Sequence, residues 1–135
     1  MIQILVIDNN QRHAQLMQEC LTHDYYTDVT VVGDEDDALR LLTKENYRPS
    51  LILLDLNTRR LAAHHALRRI RRSKPKLPIV ILSASTNTDD ICRAYAEGAN
   101  MYAEKPSDLD AYRITIHSIA QLWIVPMGRG RSASA

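Results

Sequence analysis

Five short apolar runs punctuate the chain: Ile2 to Ile7, Val29 to Val32, Leu51 to Leu54, Ile79 to Leu82 and Met101 to Ala103. Dense Val, Ile and Leu bounded by turn-forming residues fits strands buried on both faces. Between the runs the period changes. Leu16, Met17, Cys20 and Leu21 recur at helical spacing, as do Ala38, Leu39 and Leu42, then Ala63, Ala66, Leu67 and Ile70, then Ile91, Cys92, Tyr95 and Ala96; a last stripe runs Leu109, Tyr112, Ile116, Ile119 and Trp123. Strand and helix alternating five times predicts an α/β fold with helices on both faces of a parallel sheet. Right-handed crossovers then favour a doubly wound five-stranded parallel sheet of order 2-1-3-4-5, the flavodoxin-like arrangement.

That order sets the first and third strands side by side, and in open sheets of this kind ligands bind beyond the carboxyl ends at such a switch point. The runs end there in polar groups: Asp8, Asp55 and Ser83, with Lys105 just past the fifth. The plainer reading is that a strand-end Asp caps the next helix, and either Asp alone would favour it. Four matching ends together favour one pocket that handles a phosphoryl group. Two adjacent carboxylates repel by about 4 kcal/mol at 4 Å and an effective dielectric of 20, so a cation is expected between them. A hard ion such as Mg²⁺ suits the donors: Asp8, Asn9, Asp55 and a main-chain carbonyl near Asn57.

At 135 residues with a formal net charge of +1, the chain fits one soluble domain, expected over residues 1–127, with the Gly/Ser/Ala-rich residues 128–135 as a disordered tail. No apolar stretch approaches membrane-spanning length and no signal peptide is evident, so the cytoplasm is the expected location. Near-neutral charge makes nucleic acid an unlikely partner. Cys20 and Cys92 both fall on predicted inward faces and read as buried free thiols. Eight of the seventeen Lys and Arg residues lie between Arg59 and Lys76, and no Asp or Glu occurs between Asp55 and Asp89. Arg68, Arg69, Arg71 and Arg72 read as a solvated helix side, the sharper alternative being a dock for an acidic partner. His64 and His65 read as surface histidines, and His13 as a packed one on the first helix's inward edge.

The pieces ILVIDNN, LILLDLN, PIVILSA and GANMYAEKP, in this order and spacing, resemble the receiver domain of two-component response regulators from Met1 to about Trp123. The resemblance implies a receiver fold, Mg²⁺ as cofactor and a sensor histidine kinase or phosphotransfer protein as partner. It assigns Asp55 as phosphoacceptor, Asp8 and Asn9 to the metal cluster, Ser83 as switch hydroxyl, Tyr102 as switch aromatic and Lys105 as the phosphate-contacting lysine. It places Asn57 and Ser85 beside the hydrolytic water and implies a cis Lys105–Pro106 bond.

Departures from the pattern are equally specific. Asn9 stands where the family usually has a second carboxylate, which lowers the expected Mg²⁺ affinity. The loop Thr58 to Ala63 lacks the usual Pro and Gly, and Ser107 replaces an aromatic, predicting a loosely packed start to the last helix. The apolar ending Leu122 to Met127 either folds onto the domain or forms a self-association patch around Trp123. Similar endings occur in stand-alone receivers that work with bacterial phytochromes, which would imply a homodimer through the last helix. The expectation is a single-domain response regulator, not a metabolic enzyme, that switches protein–protein interaction. The competing class is a pseudo-receiver acting without phosphorylation. An Asp-based phosphohydrolase ranks last, because Asn57 stands where such enzymes carry a second Asp.

Overall fold

The computed structural model describes residues 1–55 and 60–128. Five strands, β1 (Ile2–Asp8), β2 (Thr27–Val32), β3 (Leu51–Asp55), β4 (Ile79–Ser83) and β5 (Met101–Glu104), alternate with helices α1 (Gln11–Asp24), α2 (Glu35–Leu42), α3 (Arg60–Ser73), α4 (Thr88–Ala96) and α5 (Leu109–Trp123). All pairings are parallel and the order is β2-β1-β3-β4-β5, as the crossover argument requires. The expectations for Asn57, for Thr58 and Arg59 of the loop after it and for most of the tail fall outside the described residues.

Side chains alternate across a strand, so the pleat divides the core into two. Ile4, Val6, Leu53, Val80 and Leu82 pack with Met17 and Leu21 of α1 and Tyr112 and Ile116 of α5. Leu5, Ile7, Ile52, Leu54, Ile79 and Ile81 pack on the opposite face with Leu42, Leu67, Ile70 and Ala94 of the other three helices. Because both faces are covered, the strands read as continuous apolar runs rather than as alternation.

Helix α4 departs from its hydropathy pattern. Its buried residues are Asp90 and Ala94; Cys92 is exposed, so only Cys20 is a buried thiol, and Tyr95 is 46% exposed. Polar anchors set this rotation. Asp90 accepts a hydrogen bond from Ser85 Oγ at 2.7 Å, and the Tyr95 hydroxyl accepts the Tyr102 backbone N–H of edge strand β5 at 2.9 Å.

The basic run on α3 is not a freely solvated side. Arg71 donates to the carbonyls of Gly98, Lys74 and Leu77 and to Asn100 Oδ1, all at 2.7–3.0 Å. Arg69 pairs with Glu35 and Asp36 of α2, Arg68 pairs with Glu97, and Arg72 is exposed. Gly98 is needed where it stands: its φ is +113°, and an added Cβ would lie 2.7 Å from Arg71 Cγ.

At the chain's other end, Ile124 is buried and Trp123 packs on the α1/α5 core with Nε1 3.2 Å from Met101 sulfur. The apolar ending therefore folds back, leaving Leu122 and Ile114 exposed. Leu109 is also exposed, against its predicted inward position, in keeping with the loose start expected at Ser107. No peptide bond is cis among the described residues, so the expected cis Lys105–Pro106 is corrected to trans, the lower-energy isomer even before proline.

Candidate functional site

Register and pleat together dictate the site. Asp8 and Asp55 are direct partners across β1 and β3, so their backbones are separated by one strand spacing of about 4.8 Å. Both continue the face formed by Ile4, Val6 and Leu53, and so point toward α1 and α5. Lys105 reaches the same place from the end of β5, with Nζ 2.8 Å from Asp55 Oδ1 in a pair that is almost wholly buried. Asp8 Oδ1 also accepts the Asn10 N–H at 2.8 Å, so the helix-start role considered for it is met in part. Asn10 itself caps α1 by accepting the His13 N–H.

Tyr112 is the residue that sequence reasoning placed but did not recognise. Its position on the inward stripe of α5 was legible, yet its hydroxyl goes beyond packing: it donates to Asp55 Oδ2 at 2.6 Å. The Lys105 ammonium lies 5.6 Å from the Tyr112 ring centroid, and His13 stacks on the same ring at 5.4 Å. Both Asp55 oxygens are therefore engaged, one by an ammonium and one by a phenol. Burial first, and then the Asp55 charge, pushes the Tyr112 hydroxyl above its ordinary pKa, so it stays protonated and donates.

Burial, reinforced by the Asp55 charge, raises the Asp8 carboxyl to about 7. Between its ordinary 3.8 and about 7, folded Asp8 keeps a proton that the unfolded chain has lost. The resulting stabilisation is full below the lower value and disappears as pH rises through the upper one. In chelator, stability should therefore fall from pH 4 to pH 7 by at most about 4 kcal/mol. Urea unfolding across that range checks this. Asp8→Asn should flatten the profile, and a divalent cation should offset the loss at the alkaline end.

On the opposite face, the strand-end residue Ser83 continues the Ile79 and Ile81 row, and Tyr102 packs against that second core. A cavity of about 360 Å³ opens there, with Asp55, Ser83, Ala84, Ser85, Tyr102 and Lys105 in its lining. Ser83 Oγ accepts the Ser85 N–H at 3.1 Å, and the Tyr102 hydroxyl donates to the Ser85 carbonyl at 2.8 Å. Asp55, Ser83 and Lys105 thus meet at one cavity, with Asp8 beside Asp55 in the neighbouring strand. His64 is a correction: it is buried, with Nδ1 2.9 Å from Glu97 Oε2 and Nε2 3.8 Å from Asp90 Oδ1. Burial works to raise the Glu97 carboxyl, but hydrogen bonds from Arg93 and His64 outweigh it and hold the group below its usual range. No local motif marks this cluster, because its members come from different helices. His65 is exposed, as expected, and pairs with Glu35.

The donor set suits a divalent cation. Asp8 and Asp55 are two buried carboxylates in register, and a cation between them would relieve their mutual repulsion. One ligand atom from each of Asp8, His13 and Asp55 lies within 4.8 Å of the others. Asn9 is exposed at the rim, where its amide oxygen could serve as a further donor.

Comparison with known proteins places these features in context. The family described as response regulator receiver domain matches residues 4–117. The chain is 30% identical over 128 residues to the "Probable methanogenesis regulatory protein FilR2" of Methanothrix harundinacea, covering 90% of this chain and 83% of that protein. It is 34% identical over 123 residues to the cell cycle response regulator CtrA of Brucella ovis, covering 89% of this chain but 50% of CtrA, and so spans about half that regulator's length. Among solved structures, the phosphorylated cyanobacterial phytochrome response regulator RcpA superposes with a TM-score of 0.82 at 29% identity, covering 91% of this chain and 94% of that one. The Mn(2+)-bound response regulator Rcp1 superposes with a TM-score of 0.81 at 26% identity, with the same coverage of 91% and 94%.

Proposed function

Because the chain belongs to the response regulator receiver domain family, we propose that it works as a phosphoryl-accepting signalling switch, with Asp55 as the acceptor and a sensor histidine kinase or phosphotransfer protein as the donor. The observation that carries this reading is Asp55 itself, in register with Asp8, held by Lys105 and bordering the cavity that Ser83 and Tyr102 line. An Asp55 oxygen attacks the phosphorus of a phosphohistidine; the new O–P bond forms as the P–N bond breaks, and the leaving imidazole takes up a proton. Lys105 offsets charge on the phosphoryl oxygens, and the Ser83 hydroxyl turns to donate to one of them. Mg²⁺ held by Asp8, Asn9 and Asp55, with the main-chain carbonyl near Asn57 that the sequence reading expects, would supply further charge neutralisation.

The added charge and acceptor oxygens bias Ser83 and, through Ser85, the Tyr102 hydroxyl, so the α4 side carries the output as a change in protein binding. Self-association through α5 fits the exposure of Ile114 and Leu122, with Trp123 as an inner support. The likeness to RcpA and Rcp1 supports a phytochrome-type kinase as donor, and among the described residues no helix is long and apolar enough to cross a membrane, which accords with a cytoplasmic switch. The protein would turn over no outside metabolite. Incubation with acetyl phosphate or beryllium fluoride should modify Asp55 only when Mg²⁺ is present. An unmodified Asp55 under ample Mg²⁺ defeats the reading.

A second reading, the phosphorylation-independent pseudo-receiver, draws on Asn9 and on the Tyr112 hydroxyl that occupies Asp55 Oδ2. A hydrogen bond to a charged group contributes about 1.5–3 kcal/mol, and this one favours the unmodified carboxylate over its acyl phosphate. Tyr112→Phe should therefore speed labelling by acetyl phosphate by about tenfold. Equal rates in both proteins would show that the phenol exerts no restraint, and slower labelling would make it an aid to the reaction.

A further inference from the structure

His13 has a position that packing alone does not account for. It lies in the first turn of α1, on the face that Asp8 and Asp55 share, and one of its ring nitrogens can join a carboxylate oxygen from each within 4.8 Å. Its Nδ1 is buried and makes no hydrogen bond, a costly state for a ring nitrogen unless it has a further partner. Stacking on Tyr112, with the rings 20° apart, fixes the imidazole plane, and the Tyr112 hydroxyl in turn holds Asp55. Each Asp55 oxygen has two lone pairs, and the Lys105 ammonium and the Tyr112 hydroxyl each use one, on different oxygens.

Resting on the switch reading for the carboxylates, we propose that His13 is a third protein ligand at this site and adapts it to first-row divalent cations such as Zn²⁺, Co²⁺ and Mn²⁺. Imidazole nitrogen is a good donor to those ions and a poor one to Mg²⁺, which takes oxygen ligands and surrenders water reluctantly. Asn9 withholds the charge that a second carboxylate would bring, and a nitrogen donor from α1 offsets that loss only for cations that accept nitrogen.

The test uses the metal-stripped full chain, titrated separately with Zn²⁺ and Mg²⁺ by calorimetry, beside His13→Phe, which keeps a ring on Tyr112, and His13→Gln. Every carboxylate site prefers Zn²⁺ to Mg²⁺ to some extent, so the diagnostic is the part of that preference that depends on His13. Both variants should lose Zn²⁺ affinity by about tenfold or more while Mg²⁺ affinity changes by less than about twofold. In protein carrying ¹⁵N-labelled histidine, Zn²⁺ should move the His13 ring nitrogen resonance and Mg²⁺ should not. Variants that bind both ions as the parent does, or a His13 resonance indifferent to Zn²⁺, would overturn the proposal. So would an equal loss for the two ions, which would mark His13 as a structural support. Acetyl phosphate labelling of Asp55 in Mg²⁺ separates this proposal from the switch reading: normal labelling beside a silent His13 leaves the switch standing and removes only the ligand.

Discussion

Asp55→Asn is expected to abolish acid-labile phosphate incorporation while changing stability by no more than about 1–2 kcal/mol. The small net effect is a balance of two larger ones. At pH 8, above the Asp8 value of about 7, an uncharged amide forfeits the attraction to Lys105, 2.8 Å away, and also removes the repulsion from Asp8 in the neighbouring strand. Each is on the order of 4 kcal/mol for unit charges at 4 Å and an effective dielectric of 20, and the two have opposite signs. The amide is nearly isosteric with the carboxylate, so the Tyr112 hydroxyl keeps a polar neighbour. The Asp8 carboxyl should move back toward its ordinary range, though not fully, because burial is the larger cause of its displacement. Labelling with acetyl phosphate, followed by thermal unfolding of the same samples, checks both halves. Undiminished incorporation would place the acceptor elsewhere.

Lys105→Met should be far more damaging to the fold. Removing one member of a buried ion pair strands the other, at a cost of about 3–5 kcal/mol, and both partners here are almost fully buried. Methionine fills much the same volume, so the loss is electrostatic rather than a cavity effect. In chelator at pH 8, the unfolding midpoint should fall by roughly 10 °C or more for a domain of this size. A divalent cation should return part of that loss, since it replaces the missing positive charge between the two carboxylates. A drop equivalent to less than about 1 kcal/mol would mean that Tyr112 and a proton shared with Asp8 already neutralise Asp55.

Much of this architecture was legible because it is written in period and punctuation. Runs such as Leu51 to Leu54 could be assigned to a doubly covered sheet, and the switch-point rule brought Asp8 and Asp55 together without any coordinates. What escaped was whatever depended on polar contacts between elements. Tyr95 looked inward by hydropathy but serves as an edge-strand acceptor, and Asp90, which is not on the predicted stripe, is buried on Ser85. His64 found Glu97 from a different helix, 33 positions along the chain. Tyr112 and His13 were on their predicted faces, and their link to Asp55 needed one further step: the parity of β3, which aims its last residue at α1 and α5. That signal was present in the sequence, since Leu51, Leu53 and Asp55 share odd positions.

The same parity makes the sheet a partition. The carboxylates and the phenol are rooted on one bank, backed by apolar packing against α1 and α5, while Asp55 and Lys105 also reach the rim of the cavity on the other. Ser83 and Tyr102 stand on the other, beside a helix moored by Ser85, Tyr95 and His64 through contacts that can be exchanged one at a time. Reactivity and message therefore meet at the rim, where Ser83 shares one cavity with Asp55 and Lys105. The α4 surface can drift in sequence to suit new recipients without loosening the groups that perform the chemistry.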